Sequence, residues 1–196
     1  MNAKVVKKVN VVYVLAAIFV PIILIIVGGW LAATVFMGSG ALFMASYSVP
    51  LLLSAAWWIF GMTAVWKQRK KAMMKQLDSQ GFNRNQTFYG SGQTVAVDIR
   101  QGKVALLFFW NPFQLQVLSA GRIGRMWADD GAAGAGFMRG TCRVGFVFLV
   151  DSVKVRVNTV TSNQRLRMDD DRILEAVSKA DMMIQVLDAA KQASGE

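Results

Sequence analysis

The feature that most constrains this chain is a run of 58 residues, from Val9 to Trp66, that contains no Asp, Glu, Lys or Arg. A bilayer core about 30 Å thick is crossed by about 20 helical residues. As one helix the run would be roughly 87 Å long, at about 1.5 Å per residue, which is too long for a single crossing. The run is therefore predicted to fold back on itself as a hairpin of two transmembrane helices.

The predicted turn of this hairpin is Gly38-Ser39-Gly40, because glycine adopts the conformations of a tight reversal without penalty. The two helices are then expected near residues 10–36 and 42–66, with Pro21 kinking or locally loosening the first one. A shorter second helix that starts at Pro50, after a longer loop, is the alternative.

Small residues recur at four-residue spacing within the run, and such spacing lets helix backbones approach closely. The pairs are Gly28 with Ala32, Gly29 with Ala33, and Ala41 with Ala45. They are predicted to pack either within the hairpin or between copies of the chain, so a homo-oligomer is one expected assembly. The helices carry no ionisable side chain of the kind that pumps and transporters use.

Basic residues flank the run on both sides. They are Lys4, Lys7 and Lys8 before it, and Lys67, Arg69, Lys70, Lys71 and Lys75 after it. Flanks rich in Lys and Arg stay in the cytoplasm, so both ends are expected there, with two crossings between them. The second group is predicted to form a basic cluster at the membrane surface. A cleaved signal peptide is the alternative, but its apolar region usually spans roughly 7–15 residues and no second long segment follows it.

Charge and residue types narrow the function classes. The formal charge of +10 comes mainly from the two flanks, because residues 76–196 carry fourteen basic and twelve acidic side chains. A nucleic-acid partner is not expected, since it would need a basic stripe on the folded domain. The chain has no histidine, the commonest general base and metal ligand. Its one cysteine, Cys142, is expected to be buried and structural. No catalytic residue, metal site or cofactor is predicted, and the chain is expected not to be an enzyme.

Strand patterns and turn signals follow one another from residue 82 onward. Strands are predicted by alternation or short apolar runs at 94–99, 103–110, 113–117, 123–127, 142–150, 153–158 and 165–168. Turns are expected at Arg100-Gln101-Gly102 and Asp151-Ser152. Asn111-Pro112 is expected to end the strand that begins at Lys103. The Gly- and Ala-rich segment 128–141 is predicted to be a mobile loop.

The chain is predicted to end in an amphipathic helix that packs on the sheet. Its apolar stripe consists of Ile173, Val177, Ala180, Ile184 and Leu187. The run Asp169-Asp170-Asp171 is interpreted as the helix N-terminus, where negative charge is favourable, rather than as a metal site. Gly134, Gly136 and Gly140 precede a strand, whereas a dinucleotide-binding loop needs a helix after it.

This order of elements over roughly residues 82–190 resembles the pleckstrin-homology-like domains, which in bacteria occur behind short membrane hairpins. The predicted fold class is a membrane α-helical hairpin plus an α+β domain, with an antiparallel β-barrel or sheet of six or seven strands capped by a C-terminal helix. The predicted parts are a cytoplasmic N-terminus (1–8), a transmembrane hairpin (9–66), a juxtamembrane basic helix or linker (67–81) and a cytoplasmic domain (82–196). The expected location is the bacterial inner membrane.

The resemblance also implies a place for anion binding. Phospholipid-binding pleckstrin-homology domains hold the head group with basic residues near the first hairpin turn. Arg100 and Lys103 flank that turn in this sequence, and Lys154 and Arg156, on one face of a later strand, would extend the patch.

These features favour a membrane-anchored interaction or assembly subunit that docks a protein partner at the cytoplasmic face of the inner membrane. Small proteins of similar design occur in conjugation, secretion and plasmid-exclusion systems, and the resemblance implies such a setting. An anionic-lipid-sensing module and a small oligomeric pore are the alternatives. The expected partners are the lipid bilayer, one or more proteins, and further copies of the chain.

Overall fold

A computed structural model describes residues 6–35, 40–90 and 92–195 of the chain. The helices in chain order are α1 (Val11–Thr34), α2 (Gly40–Ala56), a π-helical turn (Trp57–Gly61), α3 (Met62–Ser79) and α4 (Asp171–Ala193). The strands are β1 (Gln86–Gly90), β2 (Gln93–Asp98), β3 (Lys103–Phe108), β4 (Asn111–Ser119), β5 (Ile123–Asp129), β6 (Gly140–Val150) and β7 (Val153–Arg167). Of the predicted hairpin turn, Gly38 and Ser39 lie outside the described residues.

The N-terminal part consists of two long helices. The first, α1, is capped by Asn10 and continues through Pro21. The second is one continuous helix over Gly40–Ser79, made of α2, the π turn and α3. The alternative in which this helix starts at Pro50 is wrong, because Pro50 lies inside α2. At the other helical proline, Ser54 of α2 donates to the Pro21 carbonyl of α1 at 3.2 Å, which joins the two helices.

The seven strands form two antiparallel sheets, one with the order β1-β2-β3-β4 and one with the order β5-β6-β7. This confirms the predicted antiparallel strands followed by a C-terminal helix. A closed barrel is wrong for the described strands, because no ladder of hydrogen bonds joins β4 to β5 or β1 to β7. A short 3-10 turn at Ala120–Arg122 separates β4 from β5, so the chain changes sheet there.

Several strand boundaries differ from the predicted ones, most clearly around β3–β4 and at the end of β7. The break after β3 falls at Phe109-Trp110, and Asn111 already belongs to β4. The side-chain amide of the buried Asn111 donates to the Lys7 carbonyl at 2.8 Å, a partner that the local sequence pattern does not reveal. The short strand predicted at 165–168 is the end of β7, which continues to Arg167 beyond a shift in register.

The main core lies between the two sheets and α4. Its fully buried side chains include Val95, Leu106, Phe146, Phe148 and Leu187. The Phe146 ring stacks on that of Phe148, with centroids 5.9 Å apart.

A second core covers the opposite face of the four-stranded sheet. Met73 and Leu77 of α3 pack there against Ala96, Ala105 and Leu107. The sheet is therefore buried on both faces, which explains why β3 is an uninterrupted apolar run rather than an alternating one.

The C-terminal helix α4 packs on the sheets as predicted, but the residues that it buries differ in part from the predicted apolar stripe. Ile173, Ala176, Ala180, Met183, Leu187 and Ala190 are its buried residues, whereas Val177 and Ile184 are half-buried. Asp170 caps the helix, since its carboxylate accepts the backbone N–H of Arg172 at 3.0 Å. This confirms the interpretation of the aspartates as a helix N-terminus.

Cys142 is exposed, so the expectation of a buried cysteine is wrong. It lies in β6, where the register against β7 shifts between Thr141 and Arg143. The apolar pattern of β6 begins only after this irregularity, with Val144.

Asp98 is fully buried at the end of β2 and holds two loops in place. Its carboxylate accepts the backbone N–H of Asn83 at 2.7 Å and that of Gln101 at 3.0 Å. It therefore joins the connection after α3 to the β2–β3 turn.

We expect Asp98→Ala to lower the free energy of unfolding by about 1–3 kcal/mol, because two partly buried N–H groups lose their acceptor. Denaturant unfolding of the full chain in detergent measures this. Asp181→Ala, at an exposed position of α4, is the control and should change stability by less than about 0.5 kcal/mol. Equal effects of the two substitutions would contradict the role of Asp98.

Candidate membrane-interface site

The two apolar helices pack on each other as an antiparallel pair. Gly28 of α1 lies against α2 so closely that an added Cβ would overlap the Pro50 ring and lie 2.8 Å from the Ser46 carbonyl oxygen. Ala32, one turn further along α1, is fully buried. Of the predicted small-residue pairs, the structure thus brings Gly28 and Ala32 into the helix contact. The residues Ala33, Ala41 and Ala45 of the other two pairs are exposed.

Both helices are long and apolar enough to cross a membrane, judged by length and composition. Of their most apolar segments, 17% is buried in α1 and 11% in the helix Gly40–Ser79. The core helix of a soluble protein would be mostly buried. The chain thus presents a large apolar surface. Contiguous apolar patches on soluble monomers rarely exceed a few hundred Å², and larger ones mark a membrane or protein contact.

The segment before α1, residues 6–10, is bound to β4. The side-chain amide of Gln116 accepts the Lys7 N–H at 2.9 Å and donates to the Lys7 carbonyl at 2.7 Å. The Asn10 N–H donates to the Trp110 carbonyl at 2.7 Å. Val6 is buried in the main core of the domain, so the start of α1 is fixed to the domain.

The end of the hairpin meets the same part of the domain through aromatic side chains. Trp66 of α3 lies edge-on to Phe109, with ring centroids 5.7 Å apart, and Phe109 lies edge-on to Trp110 at 5.1 Å. Tyr13 of α1 lies edge-on to Phe113 at 5.5 Å. We call these five residues the aromatic collar. It joins α1 and α3 to the β3–β4 hairpin, which contributes Phe109, Trp110 and Phe113.

The predicted basic cluster of α3 (Lys67, Arg69, Lys70, Lys71 and Lys75) begins directly beyond this collar. The Arg69 guanidinium lies 4.3 Å from the Phe113 ring centroid. The Lys70 ammonium lies 5.6 Å from the Trp66 ring and 5.3 Å from that of Tyr89. Cations over aromatic faces are attracted to them, so part of the cluster is held against the collar. Lys67, Lys71 and Lys75 are exposed.

The four residues of the predicted anion patch fall into two groups. Arg100 and Lys103 lie at the β2–β3 turn and are exposed; the Lys103 ammonium donates to the Gln101 side chain at 2.9 Å. Lys154 and Arg156 lie on β7, in the other sheet. The four residues that the resemblance implies as one patch therefore lie on different sheets.

The two residues on β7 also differ from each other. Arg156 forms an ion pair with Asp129, which neutralises it. Lys154 instead faces Trp127, with its ammonium 5.5 Å from the ring centroid. Arg125 lies at the same ring at 5.6 Å. Sequence reasoning missed Arg125 and Trp127, although their two-residue spacing on β5 places both on one face of the sheet.

The chain matches no protein-family model, no curated protein and no solved structure at a significant level.

Proposed function

We propose that the chain is a two-pass membrane protein that holds its C-terminal domain at the membrane surface. The observation that carries this proposal is that both ends of the apolar helix pair attach to one domain. Residues 6–10 bind β4, and α3 packs on the four-stranded sheet. A folded domain lies on one side of a membrane, so the helices entering and leaving the bilayer beside it must cross an even number of times.

The basic residues give the orientation. Lys7 and Lys8 precede α1, and the α3 cluster follows the apolar run. Positively charged flanks are retained in the cytoplasm, so the domain and both termini are cytoplasmic. The aromatic collar then lies at the headgroup level, where Trp and Tyr are enriched in membrane proteins.

The domain itself is proposed to be pleckstrin-homology-like. The support is its four-plus-three arrangement of antiparallel strands followed by one helix. Fold alone does not fix function, but small domains of this kind bind partners. We therefore propose a non-enzymatic interaction or assembly subunit that docks a protein partner at the inner face of the bacterial cytoplasmic membrane, in a conjugation- or secretion-related assembly.

The single cysteine allows a direct test of topology. Cys142 is exposed on the domain, so we expect a membrane-impermeant maleimide to label it in inside-out vesicles and not in intact cells. In a Cys142→Ser background, Ala41→Cys, at an exposed position near the start of α2, should show the opposite pattern. Labelling of Cys142 in intact cells would contradict the orientation, and a chain that stays in the supernatant without detergent would contradict membrane insertion.

The docking role has a separate test. Purification of the full chain from its native membranes in mild detergent should retain a protein in fixed proportion. Isolation of the chain alone, under conditions that keep other membrane assemblies intact, would contradict the docking role and leave the topology unaffected.

A further inference from the structure

The four-stranded sheet has two edge strands, β1 and β4, and the chain itself covers the second of them. Residues 6–10 are bound to β4, where the Gln116 side chain accepts the Lys7 N–H at 2.9 Å and donates to the Lys7 carbonyl at 2.7 Å. Val6, next to Lys7, is buried in the main core. A segment is thus held at this edge by a glutamine that binds its main chain and by an apolar side chain that enters the core.

The edge at β1 has a groove beside it instead. β1 lies next to β7, the edge strand of the other sheet, but no ladder of hydrogen bonds joins these two described strands. They approach closely at Gly90, where an added Cβ would lie 2.7 Å from Val157 Cγ1. Next to this contact, β1, β7 and α4 together line a groove with a volume of about 490 Å³. Ligand-binding sites have volumes of about 300–1,000 Å³.

Gln86, at the start of β1, lines this groove with an amide that lacks a good partner. Its Oε1 is buried and accepts no hydrogen bond from the residues that the structure describes. Its Nε2 lies 3.8 Å from the sulfur of Met182, which is a weak acceptor. Gln86 therefore presents to the groove the same two groups with which Gln116 binds the main chain of Lys7.

The walls of the groove suit an extended polypeptide. Edge strands present unpaired N–H and C=O groups, and an extended peptide binds such an edge through its own main chain. The side chains of Tyr89 and Met182 are exposed and both residues line the groove. An apolar side chain of the bound peptide would cover them.

The charges around the groove select an acidic peptide. The Lys70 ammonium lies 5.3 Å from the ring of Tyr89, and Lys70 forms no ion pair with any described residue. Lys179 lines the groove from α4. It is paired with Glu175, but both side chains are more than half exposed, and exposed pairs contribute little. Carboxylates on the bound peptide would therefore meet cations on both sides.

We propose that the groove between β1 and β7 binds an extended segment of the protein partner that carries apolar and acidic residues. Gln86 binds the main chain of this segment as Gln116 binds Lys7. The inference rests on the proposed docking function and assigns its site.

Fluorescence anisotropy with the full chain in detergent tests this site. The probe is a short labelled peptide of alternating valine and glutamate, blocked at both ends. We expect saturable binding that Gln86→Leu weakens by about tenfold or more, because each of two hydrogen bonds to the main chain contributes about fivefold. The same peptide with N-methylated amides should not bind, and a valine–lysine peptide should bind more weakly.

Unfolding of the chain without peptide separates a binding role of Gln86 from a structural one. Gln86→Leu removes a buried acceptor that has no donor, so the denaturant midpoint should stay the same or rise. Gln116→Leu is the matched control, because it removes both bonds to Lys7, and it should lower the midpoint. A lower midpoint for Gln86→Leu together with unchanged peptide affinity would overturn the proposal.

A second variant blocks the groove without changing Gln86. Met182→Trp, at an exposed position of α4, should abolish peptide binding by filling the groove. Leu174→Trp is its control, since Leu174 is exposed on the same helix but does not line the groove, and it should leave binding unchanged. No binding by the wild-type chain, or equal binding of the N-methylated or valine–lysine peptide, would contradict the proposed occupant.

Co-purification distinguishes failure of this site from failure of the proposed function. A partner that stays with the Met182→Trp chain would overturn the groove as its site and leave the docking function intact. A wild-type chain isolated alone would contradict the docking function itself. Loss of the partner from Met182→Trp, but not from Leu174→Trp, is the result that we expect.

Discussion

Replacing Leu77 by alanine is expected to detach the domain from the helix that carries it. Leu77 is fully buried, and with Met73 it forms the contact of α3 with the four-stranded sheet. Truncation of a buried leucine leaves a cavity and lowers the free energy of unfolding by about 2–5 kcal/mol. Because the contact joins two parts of the molecule, cleavage by a protease in the connection 80–85 should become faster as well.

Two further variants, one at a neighbouring position and one at Leu77 itself, make this result specific. Lys75→Ala, at an exposed position two residues earlier, should leave both stability and cleavage nearly unchanged. Leu77→Met keeps the side-chain volume and should cost less than about 1.5 kcal/mol. If Leu77→Ala behaved like Lys75→Ala, α3 would be a free linker and the second core would not exist in solution.

Replacing Gly28 by leucine is expected to separate the two apolar helices. Even a Cβ at this position would overlap the Pro50 ring and approach the Ser46 carbonyl, and a leucine adds three more carbons. Overpacking of a tight contact typically costs about 1–3 kcal/mol, occasionally more. We expect a value at the top of that range, because one neighbour is a backbone carbonyl and the other a proline ring, and neither can turn aside as a flexible side chain can. Unfolding of the full chain in mixed detergent micelles, followed by tryptophan fluorescence, measures it.

A matched pair next to Gly28 separates packing from side-chain size. Ala32 is fully buried and Ala33 is exposed, so Ala32→Leu should destabilise the chain and Ala33→Leu should not. Destabilisation by Ala33→Leu alone would indicate that the helices pair through the other face, as in an assembly of several copies.

Local patterns in the sequence were sufficient for most of the secondary structure. The charge-free run, the alternation over 94–99 and the stripe that contains Ile173 and Leu187 all depend on residues a few positions apart. The helices and strands that these patterns predict are present. The packing of α3 on the sheet was not predicted, although the continuous apolar run in β3 was a signal for a sheet covered on both faces.

The candidate site could not be assembled from one sequence, because its parts come from distant segments. Lys154 and Arg156 are two positions apart, so both lie on one face of the strand. Asp129 forms an ion pair with Arg156 and not with Lys154. The segment 6–10 meets the domain because Lys7 binds Gln116 of β4, more than a hundred residues later. Pairings over such distances leave no periodic pattern along the chain.

The π-helical turn Trp57–Gly61 has a consequence for the direction in which the domain faces. Ser54 and Met62 both contact α1, at Pro21 and Tyr13, although residues eight apart point about 80° away from each other on a regular α-helix of 3.6 residues per turn. A π turn accommodates one extra residue and so restores their alignment. If the turn converted to α-helix, everything beyond it would rotate by about 100° around the helix axis. These five residues thus set the angle, around the helix axis, at which the sheet is attached to the helix pair.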